Sequence, residues 1–147
     1  VFNWESDGTL TFADSSLTNG MTGTNAGAGR VTNGLVSVIR TTVSNFRVVG
    51  DAGGCFEVAG GSLLIDGSDV DSCFAPKTAG DNYGKGGCFN MIAGALEVLD
   101  SNISRCESRD GAAIFINSAA EVALYGVAIT ASSSLHDEGV HLARGGR

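Results

Sequence analysis

The chain says the same thing twice: GGCFEVAGGSLLIDGSDVDSC at residues 53–73 returns as GGCFNMIAGALEVLDSNISRC at 86–106. In each copy two apolar residues alternate with a third that follows five positions later, Leu63, Ile65 and Val70, then Leu96, Val98 and Ile103. The same spacing occurs at Leu10, Phe12 and Leu17, at Val36, Val38 and Val43, and at Val122, Leu124 and Ile129. The first apolar positions recur at intervals of 26, 27, 33 and 26 residues, a period at which repeat architectures are expected. Five copies of one short unit cover nearly the whole chain, so the fold has to let each copy pack on the next in the same way.

The unit contains period-2 apolar alternation, β-branched residues and Gly or Asx-Ser turns, which is a strand pattern. At roughly 20 to 27 residues it is too short for a strand–helix–strand crossover of about 30 residues. Successive copies satisfy their backbone groups and bury their inward residues only when each lies on the one before, strand on equivalent strand, about 4.8 Å apart. The sequence therefore predicts an all-β fold, a parallel β-helix of about five coils. One column holds Leu10, Val36, Leu63, Leu96 and Val122, and a second holds Phe12, Val38, Ile65, Val98 and Leu124. An antiparallel sandwich also uses short strands, but it requires no fixed copy-to-copy spacing.

In chain order, Phe2 and Trp4 precede Leu10 as Ile114 and Ile116 precede Val122, so the first copy begins at the first residues. The second copy fits least well at its start, with Ala28 and Arg30 in the matching slots. Residues 19–30 lack periodicity and read as a loop; residues 74–85, with the only proline, read as an excursion that lengthens the third interval. After Ser134 the pattern dissolves. The expectation is one β-helix domain over residues 1–147, and a start at Val1 in place of Met suggests a segment of a longer protein.

Gly-Gly-Cys-Phe followed by Gly-x-Leu-x-Ile, a small polar turn and Cys resembles the GGAI-type repeats of polymorphic outer-membrane proteins and related pectate-lyase-like surface proteins. The likeness covers about four-fifths of the chain and implies a right-handed parallel β-helix. Two departures stand out: the repeat-initial Gly-Gly is missing from the first, second and fifth copies, and Cys73 and Cys106 stand where the family commonly has Asn. The resemblance implies architecture far more than activity.

A net charge of −7 spread along the chain gives no electrostatic support for nucleic acid or an anionic membrane surface as partner. No apolar run approaches the roughly 20 residues of a bilayer span. Glycine, at 22 residues against a single proline, is about twice its average usage and points to tight turns between strands.

Four cysteines form two equivalent pairs, Cys55 with Cys88 and Cys73 with Cys106, each 33 residues apart. Buried thiols filling turns, disulfides across or within coils, and a metal site are the three readings. Thiols come first, because Cys is among the most buried residue types and no CxxC spacing appears. Asp66, Asp69, Asp71 and Asp100 form a candidate acidic patch after the central strand, where enzymes of this fold hold calcium or an acid–base pair. Asp66 aligns with Ile39, Leu99 and Tyr125, however, and Arg40 and Arg105 read as isolated, so no column of acids forms. Asp and Ser also favour turns for local reasons, and no catalytic residue is assigned. His136 and His141 in HDEGVH lack the HExxH spacing, and Gly23 to Gly29 lacks the Lys-Ser/Thr ending of a phosphate loop. Neither metal nor cofactor is expected. Tyr83 and Tyr125 are the outward aromatics.

The function expected is a non-enzymatic structural, adhesive or assembly-scaffold module at the cell surface or outside the cell. It would dock a protein partner or further repeats at an open solenoid end marked by Phe2 and Trp4. The alternative is a carbohydrate-binding or carbohydrate-active β-helix.

Overall fold

The computed structural model describes residues 2–23, 26–49, 53–75, 84–134 and 140–142. Among these residues every regular element is a strand. The first copy supplies β1 (Phe2–Trp4), β2 (Thr9–Ala13) and β3 (Ser16–Thr22), and the second β4 (Gly29–Val31), β5 (Leu35–Ile39) and β6 (Thr42–Val48). The third forms β7 (Phe56–Asp66) and β8 (Asp69–Ala75). The fourth forms β9 (Phe89–Leu99), β10 (Asn102–Ser104) and β11 (Glu107–Ser108). The fifth forms β12 (Ile114–Tyr125), β13 (Ala128–Thr130) and β14 (Ser133–Ser134), and β15 (Val140–Leu142) follows.

All pairings are parallel and join equivalent strands of successive copies, giving one sheet ordered β1-β4-β7-β9-β12-β15 with β2 and β5 beside it, and a second built from β3, β6, β8, β10, β11, β13 and β14. The result is a parallel β-solenoid. Leu10 pairs in register with Val36, Val36 with Leu63, Leu63 with Leu96 and Leu96 with Val122. Phe12, Val38, Ile65, Val98 and Leu124 form the second column, and Leu17, Val43, Val70, Ile103 and Ile129 the third, on the other sheet. Members of these columns in the middle three copies are buried, whereas Leu10, Phe12 and Leu17 at one end and Val122 and Ile129 at the other are only partly covered. The stack makes about four turns, against the five coils expected.

The second copy corrects the reading of its first half. Phe2 pairs with Gly29 and Trp4 with Val31, so Ala28 and Arg30 are one residue out of the apolar slots. Gly29 serves the core by having no side chain: a Cβ there would overlap the Phe2 ring. That ring lies 5.3 Å from Phe12 and reaches to 6.5 Å from Phe56, two copies away. Residues 19–30 are likewise not a single loop, since β3 continues to Thr22 and β4 starts at Gly29. Of the 74–85 excursion, Phe74 and Ala75 complete β8, Lys85 returns in a bridge to Asp110, and residues 76–83 lie outside the described residues.

Two columns of left-handed residues turn the chain. Asp14, Arg40, Gly67, Asp100 and Gly126 hold φ of 50°, 45°, 54°, 44° and 63°, and Asn19, Asn45, Ser72, Arg105 and Ala131 hold 62°, 59°, 53°, 48° and 50°. Asx residues and Gly tolerate this region best. Behind the first column runs a ladder of hydroxyls, Ser15, Thr41, Ser68 and Ser101. Each donates to the carbonyl two residues back, at 2.6, 2.9, 2.8 and 2.5 Å. The hydroxyls of Thr41, Ser68 and Ser101 also accept the N–H of the residue in the preceding copy, at 3.4, 3.0 and 3.0 Å. Thr41, Ser68 and Ser101 are thereby satisfied while buried.

Ala131 is exposed and sits in the left-handed region without the local hydrogen bonding that Asn and Asp offer there. Ala131→Gly should raise stability by about 0.5–1 kcal/mol. Urea unfolding of the two proteins measures it; a loss of stability would mean that this corner is not left-handed.

Candidate functional site

The cysteines are buried as expected but are not thiols. Cys55 is bonded to Cys73 and Cys88 to Cys106, each pair 18 residues apart within one coil, with Cα atoms 5.4 Å apart in both. Equivalent cysteines of successive coils are ladder neighbours, the Cys55 N–H donating to the Cys88 carbonyl at 3.2 Å, so their side chains run side by side. Within a coil, by contrast, the first cysteine precedes β7 or β9 and the second lies along the other sheet, within β8 or between β10 and β11, so the two face each other across the interior. Other copies fill the same two slots differently. In the second, Phe46 is in register with Cys73 and the Ala28 N–H donates to the Cys55 carbonyl at 2.8 Å. In the fifth, Cys88 donates to the Ala113 carbonyl at 3.0 Å and the Cys106 N–H to the Ser132 hydroxyl at 3.3 Å.

The Phe46 substitution shapes the N-terminal end. Gly20 is in register with Phe46 and its missing side chain makes room for the Phe46 ring; Phe2, Phe12, Leu17, Gly20, Ala28 and Phe46 wall a hollow of about 700 Å³. Met21, 74 % exposed, stands on its rim. Among the described residues β1, β2 and β3 each have a neighbour on one side only. Phe2 and Trp4 therefore come to the same end with different roles. Phe2 lines the hollow, whereas Trp4 packs over Val31 with its indole N–H enclosed and without a hydrogen-bond partner.

The four acids do not converge. Asp66 is in register with Ile39 and Leu99, at the end of β7, and Asp100 occupies the left-handed corner one coil on. Asp69 and Asp71 point outward from β8 and are already bound. Asp69 Oδ1 accepts from Asn102 Nδ2 at 2.9 Å. Asp71 accepts from Arg105 Nε at 2.7 Å and from its second guanidinium nitrogen, from Ser104 at 2.7 Å and from Ser72 at 3.0 Å. The Arg105 guanidinium, helped by the Ser104 and Ser72 hydroxyls, holds the Asp71 carboxyl down at about 2, which unsuits it as a proton donor. Arg40 and Arg105 are thus not isolated: Arg40 binds Asp14 in the preceding copy through two hydrogen bonds of 2.7 Å. Among the described residues no three His, Cys, Asp or Glu gather to hold a metal. His136 and Tyr83 lie outside the described residues, and Tyr125 is 61 % exposed.

A polar cluster that sequence reasoning missed lies on the outward side of the first sheet, in the register column Asn3, Arg30, Glu57, Asn90 and Phe115. Glu57 and Asn90 are each only 4 % exposed. Arg30 Nε lies 2.8 Å from Glu57 Oε1, an ion-pair distance off the line a hydrogen bond needs, and Asn90 Nδ2 donates to Glu57 Oε2 at 3.1 Å. Lys85 Nζ sits 5.1 Å from the centre of the Phe115 ring, and with Ile92 and Asn117 these residues line a hollow of about 240 Å³. The available signal was the polar residue two places after each repeat cysteine, in Cys-Phe-Glu and Cys-Phe-Asn.

Unfolded without reductant, the chain should present no alkylatable thiol, and replacing Cys55 and Cys73 together by Ser should cost about 3 kcal/mol for the closed 18-residue loop; four free thiols before reduction would overturn the pairing. The depressed Asp71 contributes stability that is complete above its unfolded value near 3.8 and is lost as pH falls toward about 2. Because Arg105 is largely in water, the amount is on the order of 1 kcal/mol. Asp71→Asn should remove that part of the acid dependence between about pH 4 and 2, and an unchanged dependence would show that the pair does not hold in solution.

Compared with known proteins, the chain matches no protein-family model, no curated protein and no solved structure.

Proposed function

We propose that the chain is a non-enzymatic structural module of a larger β-solenoid assembly, adhesive or scaffolding in role, that docks a further coil of strands at its N-terminal end. The observation that carries this reading is the end itself: three strands that, among the described residues, are paired on one side only, around an apolar hollow walled by Phe2, Phe12, Leu17 and Phe46. A row of unpaired N–H and C=O groups beside exposed apolar surface is a template for another strand edge, and an incoming coil would continue the three apolar columns. The resemblance to polymorphic outer-membrane and pectate-lyase-like surface repeats favours the same role. So do two buried disulfides, which form in oxidising compartments and favour a location outside the cell or on its surface.

A carbohydrate-binding or carbohydrate-active β-helix is the second reading, and the observation favouring it is the Glu57, Asn90, Asn117 and Lys85 hollow. A saccharide would need these groups to give up part of their present pairing.

The purified chain should self-associate with rising concentration in analytical ultracentrifugation. Met21→Asp, on the exposed rim of the hollow, should abolish association without lowering thermal stability. A wild type that stays monomeric at all concentrations contradicts docking at this end. Turnover or retention of pectin or alginate, lost in Glu57→Gln, would move the assignment to the second reading.

A further inference from the structure

We infer that Asn102 is an acceptor for N-linked glycosylation, with an oligosaccharide as the group attached. Asn102-Ile103-Ser104 is the one Asn-x-Ser/Thr sequence in the chain with a residue other than proline at its centre. The structure supplies two independent supports. One is placement: in β10, Ile103 points into the core while Asn102 is exposed on the outer side of the second sheet. Its register neighbours are Asp69 in the coil before and Ala128 in the coil after, both exposed. A methyl group on one side and a short carboxylate on the other leave a sugar room to project. The other support is the chemistry of the compartment: two disulfides buried in the core have to form where thiols are oxidised during folding.

The step balances with a polyprenyl-diphosphate oligosaccharide as donor. Asn102 Nδ2 attacks the anomeric carbon, a C–N bond forms, the C–O bond to the diphosphate breaks, the lipid diphosphate leaves as the anion, and one amide proton passes to base. The product is a secondary amide that keeps one N–H, so Nδ2, 2.9 Å from Asp69 Oδ1, still has a proton to donate. The Ser104 hydroxyl, available on the extended chain before folding, afterwards donates to Asp71 at 2.7 Å.

The test is translation of the chain behind a cleavable signal sequence in the presence of endoplasmic-reticulum microsomes. Translocated, protease-protected chain should gain one glycan, removed by peptide N-glycosidase. Asn102→Gln and Ser104→Ala should each abolish it, and Ser104→Thr should retain it. The non-reducing mobility of the same samples reports disulfide formation. Chain that is translocated and disulfide-bonded yet unmodified at Asn102 overturns the inference, as does a glycan that persists in both Asn102→Gln and Ser104→Ala.

Discussion

Each strand of this protein depends on the equivalent strand one coil away, because short strands joined by tight turns have no other place to put their backbone N–H and C=O groups. Side chains at register-matched positions are thereby forced into columns, and a column tolerates only residues that stack on their neighbours. The aliphatic columns, the hydroxyl ladder from Ser15 to Ser101 and the left-handed corners are three consequences of that one requirement. None of them would persist if the register slipped by one residue, since alternate side chains would then exchange inside for outside.

Columns also explain how the ends differ from the middle. The cystines occupy the third and fourth coils, where the interior is fully enclosed, and the slot they fill is taken by Phe46 with Ala28 in the second coil and by Ser132 with Ala113 in the fifth. The bulky ring of Phe46 lies over Gly20, which makes room for it by having no side chain. The N-terminal hollow belongs to the end of the stack, where β1, β2 and β3 have a neighbour on one side only among the described residues.

The fold was legible because period and spacing are one-dimensional facts: the intervals between Leu10, Val36, Leu63, Leu96 and Val122 state which residues stack. The corners and the cysteines were less so. Whether Cys55 meets Cys73 or Cys88 turns on the direction of a side chain at a strand end, which spacing leaves open. Gly29 was passed over since a pattern of apolar residues does not register a gap made for the Phe2 ring of another coil. Arg105 and Asp71 looked unrelated because they are 34 residues apart in sequence, yet the coil brings them together. Glu57 and Asn90 escaped notice for a different reason: polar residues on the outward side of a strand read as solvated, and here both are buried.

A parallel solenoid requires equivalent residues of successive copies to lie next to each other in parallel. Scalar coupling across hydrogen bonds, measured by NMR on uniformly labelled protein, reads this directly. Coupling from the Phe56 amide nitrogen to the Cys88 carbonyl carbon and from Asn102 to Ser68 is predicted, these bonds being 2.9 and 3.0 Å long. Methyl contacts should link Val38 with Ile65 and Ile65 with Val98. Close Hα–Hα contacts between neighbouring strands running in opposite directions, with those couplings absent, would contradict it.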